Sequence, residues 1–158
     1  MKPKLYLETT IPSYLTARPT RDPLMAGQLL ATKDWWQRRR TDFELFISPI
    51  VTLEAQQGDA DAARRRLAII TGLPELPITP EVERLFAAIR AEHLLPPKAS
   101  ADALHIAIAA AHQMHFLLTW NCTHISNREI LPHIEELCRK LGYKCPVVCT
   151  PLELMGVS

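Results

Sequence analysis

Glycine is scarce in this chain. Five glycines, at 27, 58, 72, 142 and 156, serve 158 residues, and no two lie closer than 14 positions. That spacing excludes the G-x-G-x-x-G and G-x-x-x-x-G-K-[ST] loops, which need glycines a few residues apart so that backbone amides can approach a phosphate. Also missing are H-E-x-x-H and G-x-S-x-G, which removes the zincin and serine-hydrolase readings. Cysteines stand at 122, 138, 145 and 149 without a C-x-x-C, a pattern of free thiols in a reducing compartment. No charge of one sign dominates: 18 Lys+Arg face 17 Asp+Glu, for a net charge of +1. A polycation that holds nucleic acid by bulk electrostatics is thereby excluded. The runs Arg38-Arg39-Arg40 and Arg64-Arg65-Arg66 read chiefly as solvated helix faces, with a local basic patch as the alternative. No apolar stretch approaches the roughly 20 residues needed to cross a bilayer, and the most apolar run, Ala103 to Ala111, carries His105. Near the N-terminus Glu8 interrupts any signal-peptide core, so the expectation is a cytoplasmic protein with no membrane span.

What is present is enough for a core. With 47% hydrophobic and 22% charged residues the chain is not disordered, and it is read as a single domain over 1–158 with no linker or repeat. A domain of this size buries about 70% of its unfolded surface. Lys4–Leu7, Phe43–Ile47, His115–Thr119 and Pro146–Cys149 read as strands, and Glu75–Ile78 as a further strand or an extended link. Thr9–Pro12 reads as a loop. Asp22-Pro23, Ser48-Pro49, Asp59 and Thr79-Pro80 each mark a helix start. The first of these helices shows a stripe of Met25, Leu29, Thr32 and Trp36. A helix over Ala99–Gln113 is apolar on nearly every side and should be deeply buried, a helical turn covers Thr123–Asn127, and a last helix runs from Pro132 to Gly142. Strands alternating with helices imply an α/β fold, a mostly parallel sheet with helices on both faces. In such sheets ligands bind beyond the carboxyl ends of the strands.

Three acids stand in apolar company. Glu8 ends the first strand in Leu5-Tyr6-Leu7-Glu8, and Glu54 has Ile50 and Leu53 as helical neighbours, which places it along an apolar stripe. Asp102 lies in the first turn of the most apolar helix. A carboxylate so placed is costly unless paired, hydrogen-bonded or bound to a metal. Each has a structural alternative. Asp102 complements a helix N-terminus, an effect worth about 0.3–1 kcal/mol; Glu54 pairs with Arg65; Glu8 is solvated at a strand end. Taken together, and joined on the same rim by Thr119-Trp120-Asn121, they form a hard oxygen set suited to Mg²⁺ or Mn²⁺ rather than zinc. Metal-assisted phosphodiester hydrolysis is the chemistry such a set implies.

Four segments carry a family resemblance over nearly the whole chain: Tyr6-Leu7-Glu8-Thr9-Thr10, Leu53-Glu54-Ala55, Ala101-Asp102-Ala103-Leu104-His105-Ile106-Ala107 and Leu118-Thr119-Trp120-Asn121. In this order and spacing the sequence resembles the PIN-domain nucleases, in particular the VapC-type toxins of toxin–antitoxin pairs. The resemblance implies an α/β/α sandwich that cuts RNA with Mg²⁺ or Mn²⁺, an antitoxin partner and a homodimer. Carried over by position, Glu8, Glu54, Asp102 and Asn121 are the catalytic set, with Glu8, Glu54 and Asp102 as metal ligands. Two positions depart from the family. Glu8 stands where an aspartate is usual, and Asn121 stands where the fourth acid lies, so the site has three carboxylates instead of four. Thr119 is expected to hydrogen-bond a ligand side chain or metal-held water.

His105 and His124, near Asp102 and Asn121, read as hydrogen-bonded structural residues. Zinc held by Cys138, Cys145, Cys149 and His133 is disfavoured because Cys138 falls on a buried stripe. Two rivals to the nuclease remain: a catalytically impaired module that binds RNA or an antitoxin without cleavage, and a phosphohydrolase acting on simple phosphate esters.

Overall fold

Leu5, Tyr6 and Leu7 follow one another in sequence and all three are 0% exposed, which a strand achieves only where both faces of its sheet are covered. They belong to β1 (Lys4–Leu7) in the computed structural model, which describes residues 1–156. The domain expected over 1–158 ends in two residues, 157–158, that lie outside the described ones. β1 lies between β2 (Glu44–Phe46) and β3 (Phe116–Leu118), and β4 (Val147–Cys149) pairs with β3, giving a four-stranded sheet of order β2-β1-β3-β4. Every pairing is parallel, with Tyr6 opposite Phe46 and Leu117, and Leu117 opposite Val148.

Parallel neighbours need long crossovers, and here they are helical. α1 (Thr10–Leu15) and α2 (Pro23–Arg39) link β1 to β2; α3 (Pro49–Ala55), α4 (Ala60–Ile70), α5 (Pro80–Ala91) and α6 (Ser100–Ala111) link β2 to β3; α7 (Leu131–Lys140) links β3 to β4. This is the expected α/β fold with its parallel sheet. The starts of four helices are held as their sequences specify. Asp22, Ser48, Asp59 and Thr79 side chains accept from the amides of Leu24, Val51, Ala62 and Val82. Ala103, His105, Ile106, Ala107, Ile108, Ala109 and Ala110 of α6 are buried, as its all-round apolarity requires.

Three local expectations are corrected, and of the two readings left open for Glu75–Ile78 the extended link holds. Thr9–Pro12 is no loop, because α1 starts at Thr10, with the Ile11 amide donating to the Glu8 carbonyl at 3.0 Å. Glu75–Ile78 makes only an isolated parallel bridge between Ile47 and Glu75. Pro74 and Pro77 flank that bridge and have no N–H to extend a ladder. On α2 the buried residues are Leu29, Thr32 and Trp35. Both tryptophans border the stripe, and Phe43, with its ring centroid 5.8 Å from that of Trp35, draws the first one inward. On α3 the buried pair is Val51 and Ala55, while Leu53 is 54% exposed. Glu54 therefore stands at the edge of the buried face, half-buried, rather than inside an apolar stripe.

The topology decides where a ligand can sit. From β1 the chain crosses to β2 on one side, and from β3 it crosses to β4 on the other. The carboxyl ends of β1 and β3, where Leu7 pairs with Leu118, are therefore the point at which the winding reverses. α6 feeds β3 through a short turn and so runs back against the strands, returning its first turn to the same rim.

Leu5→Ala is expected to cost about 2–5 kcal/mol, since it empties a filled interior site. Leu53→Ala should stay within about 0.5 kcal/mol. Urea unfolding followed by circular dichroism compares them; equal losses would refute the facing assigned to α3.

Candidate metal centre

Glu8 continues from β1, its amide donating to the Leu118 carbonyl at 3.1 Å, and it is 4% exposed. Its Oε1 accepts three hydrogen bonds: from the Thr10 amide at 3.1 Å, the Thr10 hydroxyl at 2.5 Å and the Thr119 hydroxyl at 2.7 Å. Thr119 is thus bonded to a carboxylate of the candidate site, the first of the two partners expected for it. Glu54 reaches the same place from α3. Its Oε1 accepts from the Thr9 hydroxyl at 2.6 Å and meets His105 Nε2 at 2.6 Å. Burial pushes the Glu54 carboxyl up, but the His105 hydrogen bond and charge, with the Thr9 hydroxyl, outweigh it and leave the acid below its ordinary value.

Asp102, in the first turn of α6, places Oδ2 3.0 Å from His124 Nδ1. Asn121 links this pair to Glu8: its amide donates to the Thr119 hydroxyl at 2.9 Å, and its Oδ1 accepts from the His124 amide at 3.0 Å. The Asn121 carbonyl also accepts the amides of Ile125 and Ser126, closing the turn expected near 123–127. His105 lies one helical turn after Asp102, and Thr9 follows Glu8 in the chain. The contacts therefore close a ring that runs Glu8, Thr119, Asn121, His124, Asp102, His105, Glu54, Thr9 and back to Glu8. All four residues expected from sequence are in it.

The ring has a consistent chemistry. Each carboxylate places one oxygen on protein donors, and no described residue donates to the other: Oε2 of Glu8, Oε2 of Glu54 and Oδ1 of Asp102. Ligand atoms of Glu8, Glu54 and His105 lie within 4.8 Å of one another. His105 is 0% exposed, and its Nε2 is already engaged by Glu54, so the donor set left over is oxygen. An all-oxygen set fits a hard cation such as Mg²⁺ or Mn²⁺. Asp102 lies outside that closest trio and joins it through the ring. The cysteine–histidine set is not among the groups of described residues close enough to hold an ion. Arg65 pairs with Asp61 instead of Glu54.

Sequence reasoning named Glu8, Glu54, Asp102, Asn121, Thr119, His105 and His124, and it read both histidines as hydrogen-bonded residues, which they are. It missed Thr9, Thr10, Tyr6 and Ser48. Tyr6 is 0% exposed, with its hydroxyl 2.6 Å from His105 Nδ1 and 2.8 Å from Ser48 Oγ. The available signal was a phenol in an otherwise apolar strand and an imidazole in the most apolar helix. Buried polar groups require partners.

No family model matches the chain, and no curated protein matches its sequence. Among solved structures it is similar to a chain of VapBC2 from Rickettsia felis, determined bound to a DNA fragment from their promoter. The TM-score is 0.55 at 16% identity, over 92% of this chain and 97% of that one. At that identity the likeness is one of fold, and it agrees with the α/β architecture that the sequence resemblance implied.

Burial drives the Tyr6 phenol well above 10, and the charges of Glu8 and Glu54 add to it against the Ser48 hydrogen bond. Folded protein then keeps a proton that the unfolded chain releases near pH 10, so stability should fall as pH rises past about 10. Ultraviolet phenolate absorbance is expected to show Tyr6 ionising only together with alkaline unfolding. A Tyr6 phenolate appearing in folded protein near pH 10 would contradict this environment.

Proposed function

We propose that the protein is a divalent-metal-dependent ribonuclease, a VapC-like PIN-domain toxin. The reading is carried by one observation: three carboxylates at the winding reversal of the sheet, each with one oxygen tied down and one left over. In this reading Glu8, Glu54 and Asp102 hold Mg²⁺ or Mn²⁺, and Asn121, which bonds Thr119 and His124, completes the catalytic set by orienting both halves. A divalent ion in such a site supplies positive charge to a phosphodiester and acidifies water. The remaining work belongs to the chain. Glu54, with Oε1 fixed by Thr9 and His105, has Oε2 left to serve either as the third metal ligand or as the base that orients an attacking water. Glu8 and Asp102 set the negative field into which the phosphate can enter only with a cation.

RNA as substrate is supported by the neighbouring surface. A groove of about 490 Å³ between α1 and α4 is lined by Ser13, Thr16, Arg18, Asp59, Arg65 and Arg66. α1 starts at Thr10, which bonds Glu8, so a backbone lying in the groove would be led toward the ring. An antitoxin partner fits the likeness to a VapBC2 chain. A homodimer fits the outer side of α2, where Leu24 and Leu30 are 72% and 69% exposed. Among the described residues no helix is long and apolar enough to cross a membrane, and the four cysteines are free, in keeping with a reducing cytoplasm.

A second reading, an impaired module that binds RNA or an antitoxin without cutting, rests on Asn121, which supplies no charge where a fourth acid would. Two measurements separate the readings. Calorimetric titration of Mn²⁺ should show binding to wild-type protein and none to Asp102→Ala, and single-stranded RNA should be cut only with Mg²⁺ or Mn²⁺ present. Asp102→Ala retaining full metal-dependent cleavage would sink the assignment. If wild type binds Mn²⁺ but cuts nothing, and Asn121→Asp restores cleavage, the impaired reading holds. Cleavage by wild type that Asn121→Asp leaves unchanged shows the amide to be competent.

A further inference from the structure

A linear run of hydrogen bonds leads to Glu54. The Val51 amide meets Ser48 Oγ at 3.4 Å, Ser48 Oγ meets the Tyr6 hydroxyl at 2.8 Å, the hydroxyl meets His105 Nδ1 at 2.6 Å, and His105 Nε2 meets Glu54 Oε1 at 2.6 Å. Ser48, Tyr6 and His105 are each 0% exposed, so water cannot take the place of any partner. The two ring centroids lie 5.8 Å apart edge to face, which sets the plane of the imidazole as well as its contacts.

Few proton arrangements satisfy this run. A carboxylate oxygen only accepts, so the proton between His105 and Glu54 sits on Nε2. When the imidazole is neutral it carries one N–H and one acceptor nitrogen, so Nδ1 accepts and the Tyr6 hydroxyl donates to it; an imidazolium would instead donate from Nδ1 to Tyr6. In the neutral case Tyr6 Oη must accept from Ser48, whose oxygen in turn accepts the Val51 amide. With His105 neutral each link is satisfied in this one order, and in either state of the ring the run ends by presenting an N–H to Glu54.

We propose that Tyr6 and His105 are positioning residues: a buried hydrogen-bond chain of fixed polarity, running from the α3 N-terminus through Ser48, Tyr6 and His105, locks Glu54 Oε1 and so aims its other oxygen. The consequence for metal binding rests on the proposed function above, whereas the polarity of the chain does not. Ser48 and Glu54 belong to the same short helix, and β1 and α6 supply the two residues between them. One loop of bonds thus ties strand, α3 and α6 together at the point where the carboxylate must not swing. Partners that orient metal-held side chains typically matter 10- to 100-fold in affinity when removed.

The test uses ¹⁵N-histidine protein without metal at pH 7.5, with ring nitrogens read by long-range ¹H–¹⁵N correlation, in wild type and in Tyr6→Phe. The phenylalanine keeps the ring and loses only the hydroxyl, and thermal unfolding checks that the variant is folded. For His105 the expected wild-type pattern is Nε2 protonated and Nδ1 bare but hydrogen-bonded, with Nδ1 shifting in Tyr6→Phe as its donor disappears. Mn²⁺ affinity in folded Tyr6→Phe should drop roughly 10- to 100-fold. A proton on Nδ1 in wild type, or an Nδ1 signal unmoved by Tyr6→Phe, overturns the chain. The expected spectra with undiminished Mn²⁺ affinity overturn the positioning role. Wild-type protein that binds no Mn²⁺ overturns the functional reading, and the nitrogen spectra still decide the chain. If Tyr6→Phe does not fold, Ser48→Ala serves in its place, with a smaller shift of Nδ1 expected.

Discussion

The arrangement at the rim follows from a carboxylate buried without a cationic side chain. Glu8 is 4% exposed between the two central strands, and among the described residues no lysine or arginine pairs with Glu8, Glu54 or Asp102. Leaving such a group without donors would cost several kcal/mol. The surroundings answer with hydroxyls, amides and imidazoles, which can satisfy one oxygen of each acid without neutralising its charge. That distinction separates a structural ion pair from a site kept ready for a ligand. A lysine at Thr119 would have stabilised Glu8 and ended its use for a cation.

The cationic residues are engaged elsewhere. Arg38 pairs with Asp34, Arg39 with Asp42, and Arg64 and Arg65 with Asp61, all within one or two helical turns of themselves. Exposed pairs of this kind contribute little to stability; of the two arginine runs only Arg38 and Arg64 stand on solvated faces, while Arg39, Arg40, Arg65 and Arg66 are half-buried. Arg66 is different, because its guanidinium donates to the Ala55 and Gln57 carbonyls at the end of α3. It fastens the helix that carries Glu54 while staying beside the groove. The same helix is capped at its start by Ser48. Both ends of this seven-residue segment are therefore held from outside, which a helix too short to be stable alone requires.

Much of this was legible in the residues. Strands β1, β3 and β4 were read within a residue or two, and the helix starts at Asp22, Ser48, Asp59 and Thr79 were marked by side chains whose hydrogen bonds are local. The acids were legible because a charge in apolar company is anomalous over a few neighbouring positions. What failed was what tertiary contact decides. Trp35 and Trp36 border the same stripe, and only Phe43 distinguishes them. Leu53 is apolar and exposed, so reading the buried face of α3 from Ile50 and Leu53 pointed Glu54 into a stripe that does not exist. Tyr6 and His105 are 99 positions apart, and no local periodicity connects them. Each was visible singly as a polar group lacking a partner, but pairing them needs the sheet.

Asn121 shows how a conservative-looking exchange divides structure from chemistry. Its Oδ1 accepts the His124 amide and its own amide binds Thr119, two contacts that an aspartate would make equally well. The turn from 121 to 126 therefore does not select asparagine over aspartate. The difference is one negative charge near Asp102 and Glu8, acids with which no arginine or lysine pairs among the described residues. In the proposed reading, a divalent cation among three carboxylates would leave a single net negative charge, so an incoming phosphate would meet less repulsion than at a four-acid site. In that reading the cation would be held by fewer charges, and the orientation of each remaining oxygen would carry correspondingly more weight. A site with fewer acids depends more on what holds them still, and in this protein that is the ring of hydroxyls and imidazoles behind Glu8, Glu54 and Asp102.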